Sequence, residues 1–140
     1  GGAITSSEVR GSFLRIAANY EGDIPQLADA LLNEPGVVLH SIGEVSEVIK
    51  DVGTPLVMDE HHEISKLTGT HGVGHVRMAT ESIVDISHAH PFWAYPFTDV
   101  TVVHNGQLTN YHGMKRAYED RGYQFQTGND SELIAVYLAD

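Results

Sequence analysis

The sequence predicts a mixed helix-and-strand domain of the α+β or α/β class. Two observations predict it. Apolar residues recur at helical spacing in several stretches, and short runs rich in β-branched and aromatic residues lie between them. Gly, Pro, Asn and Asp punctuate the boundaries, so strands and helices interleave along the chain.

Taken in order, Ser12 to Tyr20 alternates partially through Phe13, Leu14, Ile16, Ala18 and Tyr20 and reads as a strand. Glu21-Gly22-Asp23 is a turn whose Asp23 caps a helix. Ile24, Leu27, Ala28 and Leu31 of that helix fall on one face, Pro25 fits its first turn, and Asn33-Glu34-Pro35-Gly36 stops it. Val37 to Ile42 reads as a buried strand. Glu44 to Val52 reads as a short helix with Val45, Val48 and Ile49 on one face and Gly53 past its end. Thr54 to Thr70 has no clear period and is expected to be mostly loop, with a helical turn near Ile64. Thr70 to Thr80 alternates loosely as a strand, and its Gly72 and Gly74 point to close backbone approach. His88 to Thr98, rich in His, Pro and aromatics, is expected to be ordered loop.

Asp99 to His104 is expected to be a strand that feeds Asn105-Gly106. Asn110 to Arg121 reads as a helix with Tyr111, Met114 and Tyr118 on one side and Gly122 as its stop. Tyr123 to Phe125 reads as a short strand. Asn129 caps a last helix, with Glu132 three residues on in a capping-box arrangement and Leu133, Ile134, Tyr137 and Leu138 as its apolar face.

A length of 140 residues allows one domain with a real core. The formal charge of −11 disfavours nucleic acid or an anionic membrane as partner, because both attract a basic face. No window has the length and apolarity of a membrane span, and no start resembling a signal peptide is present, so a cytoplasmic location is expected. There is no cysteine, which excludes disulfides, thiolate metal sites and a cysteine nucleophile within these residues. The chain opens on Gly1-Gly2 without Met and stops at Leu138-Ala139-Asp140 inside an expected helix. Both features predict one domain, residues 1–140, cut at both ends from a longer protein.

Four places carry candidate chemistry. Asn105-Gly106 follows the β-branched run Val100 to Val103, and both residue types tolerate positive φ, so the chain can turn sharply there. Such a dipeptide commonly makes a hairpin. It can also expose a side-chain amide and a backbone N–H, two donors suited to an oxyanion. Arg77 sits between Val76 and Met78 in an apolar stretch, where a guanidinium needs an anionic partner: a ligand carboxylate, or one of the nineteen acidic side chains. Asp130 falls in the first turn of the last helix, favoured there by the helix dipole whether or not it receives a substrate ammonium. The nine histidines include His71 with His75, the run His61-His62-Glu63, and His88-Ala89-His90. No helix hosts a His-Glu-x-x-His pattern, and a histidine-rich metal protein stays only as a remote alternative.

Several stretches together resemble the glutaminase domain of class II (N-terminal-nucleophile) glutamine amidotransferases. They are Gly74-His75-Val76-Arg77-Met78-Ala79-Thr80, then Ala89-His90-Pro91, then Val103-His104-Asn105-Gly106 with Leu108 and Asn110-Tyr111. Arg121-Gly122-Tyr123 with Phe125, Thr127 and Asp130-Ser131-Glu132 completes the set. The resemblance runs from Val37 to Asp140 and is closest to domains like that of the glutamate synthase large subunit.

The resemblance implies an αββα sandwich of two antiparallel sheets, incomplete in this chain, and hydrolysis of L-glutamine to glutamate and ammonia. Arg77 would hold the substrate α-carboxylate and Asp130 its α-ammonium. Asn105 and Gly106 would stabilise the oxyanion, while Thr80 and His90 would support the pocket. No cofactor or metal is implied. The implied partner is a synthase domain or subunit that accepts ammonia. The family's nucleophile is an N-terminal cysteine, which this chain lacks. Either that residue lies in a separate or upstream segment, or the domain binds glutamine without cleaving it. An incomplete sheet has an open edge, so pairing with the missing segment or oligomerisation is expected.

Overall fold

A computed structural model describes residues 1–77 and 85–140. Strand β1 (Gly2–Arg10) and strand β2 (Phe13–Tyr20) form an antiparallel hairpin running from Gly2 opposite Tyr20 to Arg10 opposite Phe13, with a bulge between Ile4 and Ser6. Gly11, at φ +58°, makes the turn. Sequence reading found β2 but not β1. Most of both strands is exposed, Ile4, Val9, Leu14 and Ile16 included, so neither carries a clean in-out alternation. The hairpin meets the rest of the chain through Phe13, whose ring lies 5.0 Å from that of His40 and 5.3 Å from that of His62. The Arg10 guanidinium also donates to the His62 carbonyl at 3.1 Å.

Helix α1 (Ile24–Leu32) starts as the sequence predicts. The Asp23 carboxylate accepts from the Gln26 N–H at 2.8 Å, and Pro25 lies in the first turn. Its Ala28 is fully buried against Trp93 and Tyr95, with Leu32, Leu39 and Ile42 packed around them. The expected strand at Val37 to Ile42 is absent. That stretch is irregular and contributes Leu39 and Ile42 as packing side chains.

The expected helix at Glu44 to Val52 is also absent. Asp99, at φ +60°, turns its carboxylate into the loop and accepts from the N–H groups of Glu44, Val45 and Ser46 and from the Ser46 hydroxyl. A distant side chain thus satisfies the donors that a helix start would present, and Val45 is left 91% exposed. Helix α2 (Pro55–His62) occupies the stretch expected to be loop. Thr54 caps it through the Val57 N–H and Pro55 lies at its start, both legible signals. His62 is its single buried residue, so it lacks the apolar stripe on which periodicity reading depends. A 3₁₀ turn at Ile64–Lys66 follows, where a helical turn is expected.

Residues 71–77 contain no strand. Strand β3 (Phe92–Trp93) and strand β4 (Thr101–Val102) pair antiparallel as a second small sheet, β3 arising in expected loop and β4 as the surviving part of the expected strand at 99–104. Helix α3 (Tyr111–Glu119) and helix α4 (Asp130–Ala139) match their predicted places, and Gly122 at φ +95° follows α3. Tyr123 to Phe125 does not form a strand; both aromatic rings pack instead on the cluster of Tyr118, Leu133 and Val136.

Asn129 caps α4 through the Ser131 N–H at 2.9 Å, but the reciprocal half of the capping box is not made. The Glu132 carboxylate accepts instead from the Gln126 N–H at 2.7 Å, the Thr127 N–H at 2.8 Å and the Thr127 hydroxyl at 2.7 Å. It ties the preceding loop to the helix, which explains how a carboxylate stays buried here. The described residues thus form a mixed fold with two small antiparallel sheets. Among them, no helix is long and apolar enough to cross a membrane.

Candidate functional site

Helix α4 packs against β3, β4 and α3, and its first turn is the meeting point of the segments that carry the candidate residues. Asp130, first residue of α4, accepts the Leu108 N–H on Oδ2 at 2.7 Å. Leu108 is two residues past Gly106, so this bond fixes the Asn105-Gly106 bend to the helix start. The other oxygen, Oδ1, lies 3.8 Å from His104 Nδ1.

Ser131, 1% exposed, sits next on the helix. Its Oγ is 2.9 Å from His90 Nε2 and 3.3 Å from His104 Nδ1. The His90 ring stacks on that of His75 with centroids 4.1 Å apart and meets Phe92 edge-on at 4.9 Å. Arg77 donates to the carbonyl of His88, two residues before His90, at 3.1 Å. The structure therefore links Arg77, His90, Asp130 and the Asn105-Gly106 loop through a continuous set of contacts around the start of α4. Thr80 lies outside the described residues.

Asn105 and Gly106 are both exposed, and Gly106 is a bend. Neither has positive φ, so the chain bends here without the left-handed backbone that both residue types tolerate. Glycine is favoured at 106 for another reason. A Cβ there would lie 2.7 Å from His104 Nε2 and 3.3 Å from His104 Cε1.

Burial first, and then the electrostatic influence of His75, Arg77, His104 and Lys50, push the His90 imidazole down to about 4. His90 is therefore neutral at pH 7 and able to share a hydrogen bond with Ser131 in either direction. Its unfolded counterpart binds a proton near pH 6.5, so the unfolded chain holds more protons between about 4 and 6.5. The resulting contribution to stability is complete above 6.5 and falls away as pH drops toward 4. Histidine NMR titration is expected to give a midpoint near 4 for His90; a midpoint near 6.5 would show that the imidazole is not desolvated in this way.

Sequence reading passed over Ser131, His104 and Lys50 as site residues. Ser131 and His104 stood inside recognised motifs, but nothing local says that a serine hydroxyl will sit between two imidazoles. Lys50 is buried, its ammonium bonded to the carbonyls of Ser87 and Ala89 and set 5.1 Å over the Phe92 ring. Burial pushes its pKa down to about 8. A cavity of about 260 Å³ lies beside it, lined also by His40, Phe92, Trp93 and Glu132, and a second of about 330 Å³ lies between Asp29, Tyr95 and Arg121. Neither cavity is lined by Arg77, Asn105, Gly106 or Asp130.

The other histidine groups are engaged structurally. His62 bonds Asp51 at 2.9 Å and His88 bonds Asp85 at 2.7 Å. Among the described residues, no group of three or more His, Cys, Asp or Glu is arranged to hold a metal ion.

Comparison with known proteins bears on this arrangement. Residues 55–140 match the family described as a glutamine amidotransferase domain. A Methanothermobacter thermautotrophicus protein named as a glutamine amidotransferase, without further specification, is 50% identical over 94 residues, which are 67% of this chain and 31% of that protein. The glutamine amidotransferase-like protein GlxB of Rhizobium meliloti is 37% identical over 123 residues, 88% of this chain and 40% of GlxB. Amidophosphoribosyltransferase 1 of Arabidopsis thaliana is 31% identical over 105 residues, 74% of this chain and 19% of that enzyme. The chain thus spans well under half the length of these relatives. No solved structure matches it. The matched span takes in Arg77, His90, Asn105, Gly106 and Asp130, and on this evidence the chain belongs to the glutamine amidotransferase domain family.

Proposed function

We propose that this chain carries the glutamine-binding and oxyanion-stabilising part of a glutaminase domain. The full domain, an N-terminal-nucleophile αββα sandwich of the glutamate synthase-like kind, hydrolyses L-glutamine to glutamate and ammonia. Ammonia passes to a synthase domain or subunit. Arg77 takes the α-carboxylate through its guanidinium fork and Asp130 takes the α-ammonium through Oδ1. The Asn105 side-chain amide and the Gly106 N–H donate to the oxyanion that forms at the amide carbon. Thr80 and His90 shape the pocket. One observation carries the reading. The Asp130 carboxylate is bonded to Leu108, so the group assigned to the ammonium and the bend assigned to the oxyanion share one rigid anchor.

The chain has no cysteine, so in this reading the attacking thiolate comes from residues outside these 140. It adds to the amide carbon, the amide nitrogen takes up a proton and leaves as ammonia, and water hydrolyses the resulting thioester to glutamate and the free thiol. The same absence of cysteine favours a second reading, a domain of the same fold that binds glutamine without turnover. Glutaminase assay of the full-length protein separates the two.

Calorimetric titration tests the binding assignment itself. Arg77→Ala is expected to weaken glutamine binding by about ten- to a hundredfold, as loss of a charged hydrogen-bond partner does. His61→Ala is expected to leave it unchanged, because that ring is on the exposed side of α2 near Asp51. Equal effects from the two substitutions would refute the assignment.

A further inference from the structure

We propose that His104 is a positioning residue, a strut between the first turn of α4 and the Asn105-Gly106 bend. Its consequence for glutamine rests on the glutaminase reading, whereas its geometry does not. At one end of the ring, Nδ1 lies 3.3 Å from Ser131 Oγ and 3.8 Å from Asp130 Oδ1. At the other end, Nε2 occupies the space that any side chain at 106 would need, 2.7 Å from the position of a Cβ. The ring thus reaches from the start of α4 to the space beside the bend. The ring fills the space beside Gly106 on one side, and the Leu108 N–H is bonded to Asp130 on the other. Glycine at 106 answers to this ring, since its backbone has no positive φ to explain it.

Proton placement follows from the charges around Ser131. The Ser131 hydroxyl, with one proton to donate and lone pairs to accept, lies between two imidazoles, His90 at 2.9 Å and His104 at 3.3 Å. The Asp130 carboxylate beside His104 Nδ1 favours a proton on that nitrogen, because a lone pair facing a carboxylate would be repelled. His104 Nδ1–H then donates to Ser131 Oγ, and the Ser131 hydroxyl donates to His90 Nε2. The opposite order would point the His104 lone pair at Asp130. Ser131 is buried and its hydroxyl is held from two sides, so the Nδ1 end of His104 has little freedom to swing. In the glutaminase reading this sets the Gly106 N–H and the Asn105 amide at a fixed place relative to Asp130, as oxyanion donors require.

A double-mutant cycle tests the strut. Gly106→Ala in the otherwise intact chain is expected to weaken glutamine binding about tenfold or more, because the new methyl meets the ring. In a His104→Ala background the same Gly106→Ala change is expected to cost less than about threefold, because the obstacle is gone. Equal costs in the two backgrounds overturn the proposal. A second measurement does not involve glutamine. Ser131→Ala is expected to move the imidazole ¹⁵N signals of both His90 and His104, reporting changed tautomers in each; an unmoved His104 Nδ1 signal also overturns the proposal. If the unaltered chain binds no glutamine, the glutaminase reading fails, and the ¹⁵N result alone decides whether the strut exists.

Discussion

Asp130→Asn is expected to reduce glutamine affinity by about ten- to a hundredfold while leaving the Leu108 contact in place. The two jobs of Asp130 separate cleanly in this substitution. Oδ2 accepts the Leu108 N–H at 2.7 Å, and an amide oxygen accepts that bond nearly as well. Oδ1 is the oxygen assigned to the substrate ammonium, and there the amide has no charge to offer. Losing a charged hydrogen-bond partner costs about 1.5–3 kcal/mol, and 1.4 kcal/mol is tenfold in affinity. Asp130→Ala removes both contacts, so it is expected to weaken binding at least as much and in addition to shift the Leu108 amide resonance. Calorimetry and amide NMR on both variants give the comparison. Asp130→Asn binding as tightly as the unaltered chain would reduce Asp130 to a loop anchor and remove it from the substrate site.

Leu133→Ala is expected to destabilise the chain by about 2–5 kcal/mol. Leu133 is fully buried at the contact between α3 and α4, in a cluster with Tyr118 and Val136 that Leu108, Met114, Tyr123 and Phe125 also join. Truncation there loses the transfer energy of the side chain and leaves a cavity that fixed aromatic rings cannot fill. Leu138, on the same helix, is 64% exposed, and Leu138→Ala is expected to cost under about 0.5 kcal/mol. Urea unfolding of the two variants measures the difference. Similar midpoints would mean that α4 is not anchored by this face. The cluster includes Leu108, so the packing that holds α4 also holds the loop that reaches Asp130.

The elements that sequence reading found are those whose signals are local. Asp23 with Pro25 begins α1, Asn129 begins α4, and Gly122 follows α3, each through chemistry within a few residues of the boundary. The elements it missed depend on distant partners. No pattern near Glu44 announces that Asp99 will reach 55 residues back to take its N–H. Strand β1 exists because β2 pairs with it, and its polar residues face solvent on both sides. Glu132 keeps the spacing of a capping box, yet its carboxylate turns to Gln126 and Thr127 because that loop supplies three donors at once.

By itself the sequence determined the family, through motifs at Arg77, His90, Asn105-Gly106 and Asp130 whose order and residue types are one-dimensional facts. It also determined that no thiol lies within these residues. Only the tertiary structure decided that the Ser131 hydroxyl joins His90 to His104, and that Asp130 is bonded to the loop beyond Gly106. The physical reason is range. Helix caps and turns are set by neighbours in the chain. The hydrogen bonds that organise this site run between residues 22 to 41 positions apart, and packing of α4 against β3, β4 and α3 brings their partners together.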